Sequence, residues 1–210
     1  MEIHTTEEKL NALTHNIGAG LSIGGLVFLL YLTGQSGGTA THFVAFSLYG
    51  AFQILLYLSS GLTHLFTDKP HIHGVIRVVD QTSIYLLIAG TYTPVALIAL
   101  KGAWGWSIFG VIWGMAILGI AFKLIMGRKK HIISDLFYIP MGWTIVVALR
   151  PLMRAAPPGL LMWVAIGGGC YTVGVFFYLI KKIPYAHVLW HLFVLGGSIS
   201  FYLGFIKYLI

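Results

Sequence analysis

The chain has 210 residues, of which 58% are hydrophobic and only 9% charged, and its mean hydropathy is +0.86. A soluble domain, which carries roughly a quarter charged residues, is excluded, and bilayer lipid must be the main solvent. The formal charge of +7 does not point to nucleic acid, because the basic residues fall in short breaks between apolar runs, where they set orientation in a membrane.

A helix needs about 20 apolar residues to cross the hydrocarbon, and seven runs qualify, at about 15–33, 42–65, 78–100, 104–125, 133–150, 159–180 and 185–208. Ahead of the first run, "MEIHTTEEKLNALTH" is polar and acidic, so no cleavable signal is expected. The breaks that follow are turn-like or charged: "TGQSGGTAT", "TDKPHIHG", "KGAWG", "GRKKH", "RPLMRAAPPG" and "KKIP". No break is long enough for a soluble domain. The expectation is one all-α domain over 1–210, a polytopic seven-transmembrane-helix bundle. Pairs such as Gly20/Gly24 and Gly110/Gly114 have the spacing of close helix packing in lipid, within the bundle or between copies. Trp104, Trp106 and Tyr208 stand near span ends, as interfacial anchors do. The single cysteine, Cys170, excludes an intrachain disulfide.

With seven spans, one side of the membrane holds Lys9, Lys69, Arg77, Lys123, Arg128, Lys129, Lys130, Lys181 and Lys182. The other holds Lys101, Arg150, Arg154 and Lys207. Nine basic residues against four place the N-terminus in the cytoplasm and the C-terminus outside.

Polar residues gather at the cytoplasmic ends. In "HVLWHLF", His187 and His191 are one helical turn apart, so both imidazoles can point at one atom. Pro184 suits the first turn of that helix. His64 lies just inside the boundary at the end of span two, with Ser60 four residues earlier on the same face. Asp80 falls in the first turn of span three, and Asp80, Ser83 and Thr91 share a face. Glu8, Asn11 and His15 enter span one from the same side at spacings of three and four. His42, at the other end, stands alone.

This convergence suits a divalent metal. Catalytic zinc commonly has three protein ligands and a water whose pKa it lowers to about 7. His64, His187 and His191 would supply the nitrogens, Asp80 would act on the water as base or proton shuttle, and Ser60 would hydrogen-bond the water or a polarised carbonyl. Each residue also has a plainer reading. HxxxH alone is equally a structural pair. Asp80 could cap its helix or pair with Arg77. Ser60 could bond back to its own helix. His15 serves packing as readily as ligation and stays outside the ligand set. His4, His71, His73 and His131 read as solvated loop residues, and Asp135 as a helix cap.

ExxNxxxH at Glu8–His15, SxxxH at Ser60–His64, "VDQTSIYLLIAGTYTP" with Asp80, "DLFYIPMGW" at 135–143 and "HVLWHLFVLGGS" at 187–198 together resemble the bacterial hemolysin III family. That family belongs with the progestin and adipoQ (adiponectin) receptors and is similar to alkaline ceramidases. The resemblance covers nearly the whole chain. It implies seven membrane helices, an inward N-terminus in the bacterial inner (plasma) membrane, and Zn2+ on His64, His187 and His191. It also implies a water near Asp80, with Ser60 close by.

Three functions follow as expectations. The first is a zinc hydrolase of a membrane lipid amide or ester, perhaps ceramide-like in its substrate, with the apolar bundle taking an acyl chain. The second is a receptor-like sensor with structural zinc. The third is a pore-forming cytolysin, which would need polar stripes along several helices; spans one, four and six are too apolar and glycine-rich for that.

Overall fold

The computed structural model describes residues 2–126, 136–180 and 182–210, with side chains from Thr5 onward. Among the described residues every regular element is helical. Lipid offers the backbone no hydrogen bonds, so a membrane-spanning chain of this kind closes its bonds within each helix. In chain order α1 is Glu2–Gln35, α2 Ala40–Leu65, α3 Pro70–Pro94, α4 Gly102–Met126, α5 Tyr138–Trp143, α6 Leu149–Ala155, α7 Pro158–Leu179 and α8 Ala186–Leu209. Six stretches are long and apolar enough to span a bilayer: Thr5–Gln35, Ala40–Leu65, Pro70–Leu100, Gly102–Met126, Pro158–Leu179 and Ala186–Leu209. The protein is a polytopic helical membrane bundle.

Two helices begin well before the apolar runs that mark them. Hydropathy locates the lipid-facing length, but α1 continues outward to Glu2 and α3 to Pro70, which sits at the favoured first helical position. Asp80 therefore stands in the third turn of α3, not the first, and cannot be its cap. His71 and His73 are likewise helical, not in a loop. Pro184 precedes the last helix, whose start is Tyr185 with a left-handed backbone, φ +59°.

The segment expected at 133–150 is described from residue 136 and is broken. α5 passes into a 3₁₀ stretch, Thr144–Ala148, before α6. The Tyr92 hydroxyl bridges the break, donating to the Gly142 carbonyl (2.6 Å) and accepting from the Ile145 amide (2.9 Å). Asp135 and His131 lie outside the described residues.

α3 is the central element: 78% of its most apolar stretch is buried, against 17% for α7. Pro94 lacks an N–H, and beyond it the chain widens into a π-helical segment, Val95–Leu100. Lys101 and Gly102 then take positive φ, +56° and +54°, turning the chain tightly into α4. Gly105 completes that turn; a Cβ there would lie 2.3 Å from the Ala96 carbonyl oxygen.

Helix α1 packs on α2 and α8, α8 on α7, and α3 on α2 and α4. Gly18 lets α1 approach the Tyr57 ring, and Gly197 lets α8 approach Tyr171. Gly20, Gly24, Gly110 and Gly114 have nothing near their missing Cβ positions, so their small-residue spacing is not used within the bundle. His42 turns back on the start of α2, its Nδ1 meeting Thr39 Oγ1 at 2.8 Å.

A polar network crosses the middle of the bundle. Gln53 Nε2 donates to the Tyr49 hydroxyl (2.7 Å), which donates to the Ser198 carbonyl (3.1 Å). The Tyr57 hydroxyl donates to Ser198 Oγ (2.7 Å), which also meets the Tyr171 hydroxyl (2.9 Å). Below it a large core, including Phe46, Ala96, Ile112, Leu152 and Phe205, fills the far half.

Candidate metal centre

At the opposite end from that core the bundle opens around a cavity of about 520 Å3. Its walls come from the first turns of α1, the end of α2, the first half of α3, Tyr178 of α7 and the start of α8. The early start of α1 and α3 matters here, since their polar extensions form two of the walls.

His64, His187 and His191 meet in this cavity. Their ring centroids lie 4.6 Å apart for His187 and His191, and 5.1 Å apart for His64 with either partner. One ligand atom from each falls within 4.8 Å of the others, so the three could hold a metal ion. That separation is within about 1.5 Å of what a shared ion demands when bound at about 2.0–2.1 Å to each nitrogen. His191 is buried, and its helical partner His187 is half-buried.

The remaining ring nitrogens explain which atoms would face an ion. His64 Nδ1 meets Glu8 Oε2 at 2.7 Å. A carboxylate only accepts, so Nδ1 carries the hydrogen and Nε2 is left as the ligand atom. His191 Nδ1 lies 3.2 Å from both Thr14 Oγ1 and the Asn11 carbonyl. The Thr14 hydroxyl spends its own hydrogen on the carbonyls of Leu10 (2.9 Å) and Asn11 (3.0 Å). It therefore accepts from His191, which again leaves Nε2 free. Both constraints come from α1.

Asp80 lines the same cavity as the buried Ser60, whose hydroxyl acts on its carboxyl. Ser83 and Thr91 are both buried on the inner face of α3. Arg77 also lines the cavity, but no ion pair within 4 Å joins it to Asp80. His64, Arg77 and Lys123 all act electrostatically on Asp80. Lys123 is fully buried, although its place near the end of α4 reads in the sequence as an orienting surface charge. Thr14, at the site, and Lys123, which acts on Asp80, are among the residues that sequence reasoning missed. Thr14 adjoins a recognisable motif; nothing in the sequence distinguishes Lys123 from other basic span-end residues.

His15 stacks on His191, with centroids 3.5 Å apart and rings 13° from parallel, and meets the Tyr57 ring edge-on at 5.0 Å. Neither of its ring nitrogens has a hydrogen-bond partner among the described residues, nor has Asn11 Oδ1. A buried polar atom left so costs about 1–3 kcal/mol. His73 lines the outer part of the cavity, while His71 is exposed.

A family model described as haemolysin-III related matches residues 3–202. Hemolysin-3 of Bacillus cereus is 46% identical over 192 residues, covering 91% of this chain and 87% of that protein. The hemolysin-3 homolog of Bacillus subtilis is 41% identical over 196 residues, 93% of this chain and 91% of that protein. A more distant relative is the monocyte to macrophage differentiation factor of Homo sapiens, 28% identical over 167 residues, 77% of this chain and 69% of that protein.

Proposed function

The chain belongs to the haemolysin-III related family of integral, multi-pass membrane proteins, and from that premise we propose that it is a zinc-dependent hydrolase of a lipid amide or ester. The observation that carries this reading is the cavity in which three imidazoles converge, lined also by a carboxylate and a serine hydroxyl. Three nitrogens with a fourth position open to a cavity are the donor set of catalytic zinc. Closed structural sites usually have four protein ligands.

His64 and His191 would hold the ion through their Nε2 atoms, and His187 through a ring nitrogen. Zinc there would supply Lewis acidity and a water acidic enough to be a nucleophile near neutral pH. Asp80 takes the proton of the attacking water and returns it to the leaving amine or alkoxide. Ser60 lies beside Asp80, and we assign the single hydrogen of its hydroxyl to the charge that develops on the substrate carbonyl oxygen. Leu56, Ile84, Trp190 and Val194 give the cavity an apolar wall for an acyl chain. The basic-residue asymmetry orients the cavity to the cytoplasm, with seven spans in all.

The name hemolysin-3 on the Bacillus cereus relative suggests a pore. Against it stands the tyrosine network, which closes the polar space partway through the bundle.

The test is metal analysis of purified protein joined to a lipidomic screen. About one zinc per chain is expected, with turnover of a lipid amide or ester that disappears in Asp80→Asn while the zinc stays. Zinc without turnover across the panel favours a sensor with structural metal. Ion leakage from liposomes that Asp80→Asn leaves unchanged favours the pore. Either result overturns the hydrolase.

A further inference from the structure

Helix α1 presents two polar side chains to the cavity whose hydrogen-bonding needs the protein leaves unmet. Asn11 and His15 are one helical turn apart on one face and are 1% and 3% exposed. Both line the cavity. Among the described residues Asn11 Oδ1 and both nitrogens of His15 have no hydrogen-bond partner. Among the described residues the one other buried side-chain atom in that state is Trp163 Nε1, on α7, which does not line the cavity. His15 is stacked on the face of His191 and meets the Tyr57 ring edge-on.

The chemistry of these atoms limits what can complete them. An amide oxygen accepts only, so its partner must bring an N–H or O–H. That partner is not an ammonium group, because His15 lies against a residue whose free nitrogen would face a dication, and two positive groups so close repel. It is not a carboxylate or phosphate, which has no hydrogen to give when ionised. A neutral donor remains, and a neutral imidazole at His15 has both a donor and an acceptor to set beside it.

We propose that Asn11 and His15 form a polar subsite, on the α1 wall of the cavity, that takes an uncharged N–H or O–H group of the ligand. The proposal rests on the lipid-hydrolase reading and narrows it to ligands bringing such a donor beside their carbonyl. It gives the Asn–His half of ExxNxxxH a role distinct from that of its glutamate, which already holds His64.

The experiment compares two probes that differ in the replacement of one N–H by N–CH3, N-methyldodecanamide and N,N-dimethyldodecanamide. Their affinities are measured against zinc-loaded protein in nanodiscs. The secondary amide should bind about five- to tenfold more tightly, the value of one neutral hydrogen bond. Asn11→Leu, close in volume but without polar atoms, should abolish that preference, and Asn11→Ala should do the same. The empty Asn11→Leu protein should keep its zinc and unfold no earlier than the parent, because an orphaned polar atom has been removed. Equal binding of the two probes by the parent protein means that water alone completes Asn11, and overturns the subsite while leaving the hydrolase intact. Preference that persists in both variants also overturns it. Binding of neither probe overturns the subsite and the lipid-amide reading together. Preferential binding without turnover of any lipid sinks the hydrolase alone.

Discussion

Seven residues, about 10 Å along a helix, separate His64 from Tyr57 on α2 and His191 from Ser198 on α8. Each pair joins the same two helices, yet the layers are finished differently. In the deeper one, Tyr49, Gln53, Tyr57, Tyr171 and Ser198 meet one another's donors and acceptors. In the outer one, the histidine nitrogens face a cavity, and Asn11 and His15 are left incomplete. A buried polar set that closes on itself is explained by the fold, whereas one that does not close calls for something from outside. Burial does not separate them, since Asn11, His15 and His191 are as deeply buried as Tyr49 and Tyr57.

The largest effect that would break this contrast is in the metal content. His191→Ala should strip the ion, whereas Tyr57→Phe should leave about one per chain, as read by mass spectrometry of the purified proteins. Loss of metal in both would mean that the two layers are one unit. A smaller effect sharpens the role of α1. Glu8→Ala should weaken zinc binding about 10–100-fold in a chelator competition, as loss of a ligand's outer partner typically does. Glu8→Gln, which keeps an oxygen to accept from His64 Nδ1, should lose less. The smallest effect is in the deeper layer. Tyr57→Phe removes one hydrogen bond and should cost about 1 kcal/mol in unfolding experiments in detergent. Ser198 retains its Tyr171 partner. A loss several times larger would show the network to be strongly cooperative.

Much of this architecture is legible in the residues. Apolar length locates the six described spans closely, because lipid penalises every unsatisfied peptide group and leaves helices as the only solution for such a chain. The approach of His64, His187 and His191 follows from helical spacing and shared depth. The true starts of α1 and α3 are less visible. Their outer turns are polar, and hydropathy cannot tell a polar helix facing a cavity from a solvated loop. Asp80 was displaced by two turns for that reason. The break within 136–155 is also hidden, since the hydroxyl that bridges it comes from Tyr92, some fifty residues away. Gly20/Gly24 and Gly110/Gly114 show the converse, a packing signal in the sequence that the bundle does not use.

The closed tyrosine layer bears on the economy of the cell. A water-filled vestibule reaching into a membrane is a hazard wherever ion gradients drive synthesis and transport, because a continuous wet path would discharge them. With hydroxyls locked to Ser198 and an aromatic core beneath, the vestibule ends blindly. Many copies can then sit in an energised membrane without the membrane losing its voltage.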